Sequence, residues 1–267
     1  MEATVNRKTR AALSISSAIL ALAAGLLIPA ARRTPAQTAE LHVMTSDGMK
    51  PSVEELTPAI EHATARKLAA QFDSSNNLRK KILDGEPFDA AIITADVLDA
   101  LIQQGKISAA SRRDISRTGI GVGVRSGAAK PDVGTVEAFK RTLLNAKSVS
   151  FNPSGASAVH IYDMFARMGI ADAMKPKLIL DAEAGRPQKN VAEGKADLVV
   201  TLVPEIKFFP GVELVGPVPA ELQSYINFAA GVATNAQDPA AAKSLIDFLT
   251  GPAASPVLKA KGQEPHK

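Results

Sequence analysis

The chain has 267 residues, 46% of them hydrophobic, with 31 basic against 27 acidic side chains, no cysteine, no tryptophan and two tyrosines. The missing cysteine excludes disulfides, thiolate metal sites, a lipid-anchoring cysteine and cysteine nucleophiles. So small an excess of positive charge, with few aromatic platforms, argues against nucleic acid as a partner.

Arg7, Lys8 and Arg10 precede an apolar run over residues 18–31. This is the pattern of a secretory signal peptide, and it predicts a leader over residues 1–36 cut after Ala36 or near Ala39, with Ala30 and Ala31 as alternatives. A retained anchor is the competing reading, since residues 11–31 approach the roughly 20 needed to span a bilayer. Ser14, Ser16, Ser17 and Gly25 dilute that span and favour removal. The leader carries Arg7, Lys8, Arg10, Arg32 and Arg33 against Glu2, so its loss leaves acidic and basic residues in balance. The expected product is a monomeric periplasmic protein held together by its core alone.

Residues 41–44 alternate as a short strand that runs into the polar turn Thr45-Ser46-Asp47-Gly48. Ser52-Val53-Glu54-Glu55 has capping-box spacing, and Val53, Leu56 and Ile60 follow at helical intervals. Pro58 predicts a kink rather than a stop. Residues 67–72 form a second strand, followed by the turn Asp73-Ser74-Ser75-Asn76-Asn77 and a short basic helix to Gly85. Residues 89–94 are apolar without alternation, as in a strand covered on both faces. Asp96 is the expected cap of the next helix, with Val97, Leu98, Leu101 and Ile102 inward and Gly105 as its stop. Residues 120–125, IGVGVR, read as a strand running between two lobes.

The second half repeats the plan. Residues 149–151 are a strand opening into Asn152-Pro153-Ser154-Gly155-Ala156-Ser157-Ala158, then a helix through Ile161, Met164, Phe165 and Met168 to Gly169. Residues 178–180 are a strand, and Ala184-Gly185-Arg186-Pro187 starts another helix. Lys80-Lys81-Ile82-Leu83-Asp84-Gly85 leads through Asp89 into a buried strand, and Lys189-Asn190-Val191-Ala192-Glu193-Gly194 leads through Asp197 into another. This echo places two winding units in tandem, each an α/β lobe with right-handed crossovers. After a passage rich in proline (Pro204, Pro210, Pro217, Pro219), residues 225–234 read as a strand and residues 238–250 as a helix returning to the first lobe.

In open α/β sheets a ligand binds beyond the carboxyl ends of the strands. Those ends supply Thr45, Ser46, Asp47 and Gly48; Ser74 and Ser75; Ser154, Ser157 and Ala158; Ala184; and Thr201. Hydroxyls, glycines and free helix-start amides suit a small anion, because hydrogen bonds to a charged acceptor are the strong ones. The Ser74-Ser75 turn also reads simply as a cap for its own helix. Asp47 and Asp73 would repel an anion, so each must point away, be paired, or mark a ligand with a cationic group. Ser157, His160 and Asp163 on one helix are poorly placed for a proton relay. Arg186 is a modest candidate for a ligand contact, and no two histidines have metal-ligand spacing. No cofactor and no protein-bound metal are expected.

The helix ELTPAIEHAT, the stretch FDSSNNLRKKILDGEPFDAAIITA, the turn NPSGASA, EGKADLVV and the closing IDFLTGPAASPVLKAKG together resemble the periplasmic molybdate-binding proteins, the solute receptors of ABC importers. The resemblance covers the chain beyond the leader. It implies the two-lobed type II binding-protein fold, each lobe a mixed or parallel sheet flanked by helices, with two crossovers between lobes at a hinge. The implied lobes are residues 40–119 with 233–267, and residues 120–232. Carried onto this chain, the family's first-lobe serine falls at Ser75, its second-lobe small-residue turn at Ala158 beside Ser157, and its helix-start position near Ala184. Its first-turn serine meets Asp47-Gly48 here, and its tyrosine meets Leu202 beside Thr201. The resemblance thus implies a binding protein rather than an enzyme, taking a molybdate-like oxyanion between its lobes and delivering it to a membrane permease. The alternatives are a small organic acid or zwitterion that uses Asp47 or Asp73, a partner of a membrane sensor, or an enzyme on the same fold.

Overall fold

A computed structural model describes residues 40–266, so the expected leader lies outside the described residues. Among them no helix is long and apolar enough to cross a membrane. The first half runs β1 (Glu40–Ser46), a 3-10 turn (Asp47–Met49), α1 (Lys50–Thr64), β2 (Lys67–Asp73), α2 (Ser75–Leu83), β3 (Ala90–Thr94), α3 (Ala95–Gln103) and β4 (Arg113–Arg125). There follow α4 (Val136–Asn145), β5 (Val149–Phe151), α5 (Ala158–Arg167), α6 (Ala171–Met174), β6 (Leu178–Leu180), α7 (Arg186–Ala192), β7 (Leu198–Leu202) and α8 (Val203–Lys207). The chain closes with β8 (Val212–Pro217), β9 (Tyr225–Val232), α9 (Pro239–Thr250), α10 (Ser255–Ala260) and β10 (Glu264–Pro265).

The α/β plan is the expected one. Strands β2, β1 and β3 are parallel, β9 pairs antiparallel with β3, and the first half of β4 pairs with β9. From Ile120 the same strand enters a second sheet, antiparallel to β7 and β8, in which β7, β5 and β6 are parallel. All five residues of β3 and all five of β7 are buried, as their unbroken apolar runs require under helices on both faces. Where β4 changes sheets, the Gln223 side chain grips it: Oε1 accepts from Ile120 N at 2.8 Å and Nε2 donates to Ile120 O at 2.9 Å.

Several local expectations are corrected. Helix α1 begins at Lys50, with Pro51 in its first turn, so Ser52 is inside the helix, wholly buried, and its hydroxyl has no partner. A proline preset at the helical φ competes successfully with the capping box for the start. The helix continues through Pro58 and ends where Ala65 turns left-handed at φ 52°. Thr94, not Asp96, is the N-cap of α3; Asp96 lies in its first turn, where its charge meets the helix dipole favourably. The IGVGVR strand is the end of β4, which is 13 residues long. The proline-rich passage holds α8 and β8, with Pro204 in the first turn of the helix and Pro217 at the strand's last position. Caps at Ser74 and Asp238 stand where their residue types predict, accepting from Asn77 N at 3.2 Å and Ala241 N at 2.9 Å.

Candidate functional site

Strands β1 and β2 end level, with Ser46 opposite Asp73, and each runs at once into a helical turn. A cavity of about 460 Å³ lies over these ends and those of β5 and β7. Ser46, Asp47, Lys50 and Glu54 line it from the first turn and α1; Phe72, Ser74 and Ser75 from β2 and α2; Asn152, Gly155, Ala156 and Ser157 from the turn before α5. The remaining wall is Ala184, Gly185, Pro187 and Gln188 at the start of α7, Thr201 and Glu205 around α8, and Phe208, Phe209 and Pro210 beyond it.

Of the residues singled out in the sequence, Ser46, Asp47, Ser74, Ser75, Ser157, Ala184 and Thr201 line this cavity, whereas Thr45, Gly48, Ser154 and Ala158 do not. Thr45 is wholly buried, with a hydroxyl that has no partner. Gly48 backs onto the core: a Cβ there would lie 2.6 Å from Phe228 Cζ and 2.8 Å from Leu202 Cδ1. Its carbonyl accepts from Gln263 Nε2 at 2.7 Å, so the chain's last turn holds the first turn of the site in place. The Ser154 carbonyl accepts from Asn76 Nδ2 at 3.0 Å, tying the two serine-bearing turns together. His160 is not part of the wall, and Arg186 is occupied by Asp181 and Glu183 at 3.5 and 3.3 Å.

The Ser74-Ser75 turn serves helix and cavity together. Ser74 Oγ is spent on its cap, while Ser75 Oγ accepts from Thr94 N at 3.1 Å and keeps its own proton to donate. Asp73 is turned onto its own helix. It accepts from Ser74 N and Asn77 Nδ2 at 2.8 Å and from Lys81 Nζ at 3.0 Å, and it is not part of the wall. Burial pushes its pKa up, but these hydrogen bonds outweigh burial and hold it below the usual carboxylate range.

Asp47 and Glu205 are the reverse case. Burial, then the charge of Asp73, raises Asp47 to about 6 against the partial relief of Lys50 and Lys81. Burial and the charge of Asp47 raise Glu205 to about 7, opposed by hydrogen bonds from Thr201 Oγ1 at 2.5 Å and Gln188 Nε2 at 3.5 Å. Gln188 is 4% exposed and its Oε1 is buried without a partner. Three carboxylates line the wall, yet among the described residues no three acidic or histidine side chains gather as a metal site. Glu205, Gln188, Phe208 and Phe209 were not anticipated. The signal for Glu205 was present: a buried strand ending at Leu202, a proline two residues on, and an acid directly after it, the pattern of a helix start.

The cavity therefore brings neutral donors together with the buried carboxyl groups of Asp47 and Glu205 and with aromatic side chains. The comparisons fit a solute receptor. A family model described as bacterial extracellular solute-binding protein matches residues 41–264. A curated aconitate isomerase from a Pseudomonas species is 29% identical over 253 residues, covering 92% of this chain and 95% of that protein. The molybdate-binding protein ModA of Azotobacter vinelandii is 28% identical over 258 residues, covering 93% and 97%. Among solved structures, a periplasmic molybdate-binding protein of Azotobacter vinelandii superposes with a TM-score of 0.73 at 18% identity, covering 85% of this chain and all of that one. The chain belongs to the bacterial extracellular solute-binding protein family, with the type II binding-protein fold.

Proposed function

We propose that the cavity takes a small organic acid or zwitterion, which the protein carries in the periplasm to the permease of an ABC importer. The observation that carries this reading is that Asp47 and Glu205 share one wall with the serine donors. Neither has a cationic partner among the ion pairs of the described residues. Two carboxylates in a partly dry cavity repel a doubly charged oxyanion that would have to sit against them. An organic solute separates the two demands. Its carboxylate meets Ser75, Ser157 and the first turn of α2, its carbon body meets Phe72, Phe208 and Phe209, and a second polar group meets the acidic side. The volume agrees, since pockets for such solutes run from about 300 to 1,000 Å³. The relative named aconitate isomerase supports the same ligand class. We assign closure over the solute to two lobes, residues 40–119 with 225–266 and residues 120–224; the boundary moves from 233 because β9 pairs with β3 and β4.

A second reading, a tetrahedral oxyanion such as molybdate, is favoured by the two serine turns tied through Asn76 and Ser154. It requires Asp47 and Glu205 to be protonated, so its affinity would rise as pH falls from 8 to 5. Calorimetry with aconitate, citrate and glutamate against molybdate, tungstate and sulfate separates the two. Heat and thermal stabilisation are expected from at least one organic acid. Ser75→Ala is expected to weaken that binding by roughly 10- to 100-fold, the loss of one donor to a charged group. Micromolar binding of molybdate with all three organic acids silent would replace the first reading by the second.

A further inference from the structure

We propose that Glu205 is a proton-transfer base for carbon acids held in this cavity, so that the protein exchanges, and in an unsaturated acid transposes, a proton near a carboxylate. The inference rests on the organic-acid reading above. Both hydrogen bonds to Glu205, from Thr201 Oγ1 and Gln188 Nε2, end on Oε2. They hold one carboxylate oxygen of a side chain that lines the cavity and leave Oε1 free of them. A carboxylate kept for structure is paired, as Asp73 is with Lys81. Glu205 has no such cation, which is unfavourable for a merely structural buried charge and useful in a base. Phe208 and Phe209 line the same cavity and give it apolar surface. Charge developing on the solute's carboxylate would fall at the Ser75 hydroxyl and the free amides of α2, the arrangement that stabilises an enediolate.

The step balances within the bound acid. Oε1 takes the proton, the C–H bond breaks as an O–H bond forms, and the electron pair moves through the double bond into the carboxylate. Return of the proton to the far allylic carbon breaks that O–H bond, restores the carboxylate of Glu205 and leaves the double bond shifted. No oxidant or cofactor is needed. The other charged groups of the wall are Asp47, Lys50 and Glu54. Asp47 acts on Glu205 through its charge, so it is a positioning residue in the electrostatic sense, and Glu205 titrating at about 7 suits a base working near neutrality.

The test incubates the protein in heavy water with trans-glutaconate and with itaconate, following deuterium uptake by NMR and stabilisation by melting curves in the same samples. An acid that stabilises the protein is expected to exchange at least 100-fold faster than in buffer, within the usual range for general-base catalysis. E205Q should lose that acceleration by 100-fold or more even at acid concentrations that saturate the variant's own melting shift. D47N should move the midpoint of the rate–pH curve to lower pH, an effect that a structural role of Asp47 would not produce. An acid that stabilises the protein but exchanges no faster than in buffer, or an E205Q rate equal to that of the parent, overturns the proposal and leaves the binding reading standing. If neither these two acids nor aconitate, citrate or glutamate stabilises the protein while molybdate does, the organic-acid reading and this inference fail together.

Discussion

The double variant Asp47→Asn, Glu205→Gln is expected to melt above the parent protein at pH 8, by roughly 5 to 10 °C, and to lose most of that advantage at pH 4. Both groups have folded pKa values above their ordinary ones, Asp47 at about 6 instead of 3.8 and Glu205 at about 7 instead of 4.5. Between the unfolded and folded values the folded chain holds more protons than the unfolded chain, so stability falls as pH rises through that window. Each tenfold difference in proton affinity between the two states corresponds to about 1.4 kcal/mol. Two carboxyl groups raised this far, discounted for the water that reaches the cavity, cost on the order of 3 kcal/mol at pH 8. Asp73 has the opposite sign: its lowered pKa contributes stability that is lost only as pH falls through the acidic range. The parent protein should therefore be most stable near pH 4, below the unfolded values of the two raised groups and above the range in which the contribution of Asp73 is lost. Melting curves from pH 4 to 8 decide the matter, and a flat profile between 5 and 8 would show that the two carboxyl groups are not desolvated.

Gly48→Val is expected to destabilise the fold by about 3 kcal/mol or more, the upper end for overpacking a closed core. The constraint is space rather than backbone conformation. A Cβ at this position meets Phe228 and Leu202, which are 0% and 1% exposed, and neither ring nor methyl has room to retreat. The turn cannot move outward without stretching the bond between the Gly48 carbonyl and Gln263, which is itself buried and accepts from Ser116 Oγ at 3.0 Å. Gly48→Ala should show a smaller loss, about 1 to 3 kcal/mol. Urea unfolding measures both, and a Gly48→Val midpoint equal to that of the parent would contradict the packing described.

Much of the architecture was legible because the parallel strands are short apolar runs and the turns carry caps. Residues 90–94, 149–151 and 198–202 announce themselves by continuous burial, and Ser74 and Asp238 by residue type. Asp96 reads as the cap where Thr94 holds that place, because both types cap helices and only the strand's end decides between them. The serines and Asp47 could be read from the strand-end rule, since Ser46 and Thr201 close strands and Ser75 and Ser157 lie in the polar turns that follow them. Glu205, Phe208 and Phe209 were not read from it. Pro204 and Pro210 flank Glu205, Phe208 and Phe209, and prolines read as loop whether they break a helix or begin one. The direction of Asp73 depended on Asn77 and Lys81, four and eight residues on, which meet it only once the helix has formed.

The grip of Gln223 on Ile120 has a mechanical consequence. At Ile120 the strand β4 has left β9, which ends its pairing at Gly119. A side-chain amide, presenting the same donor and acceptor as a peptide group, takes the N–H and C=O of that one residue. The same carbonyl also accepts from Val218 N at 3.1 Å, so the passage after β8 is tied to the crossing point as well. The two sheets thus share one continuous strand whose crossing point is held by a side chain, so the crossing is fixed locally rather than by either sheet's ladder.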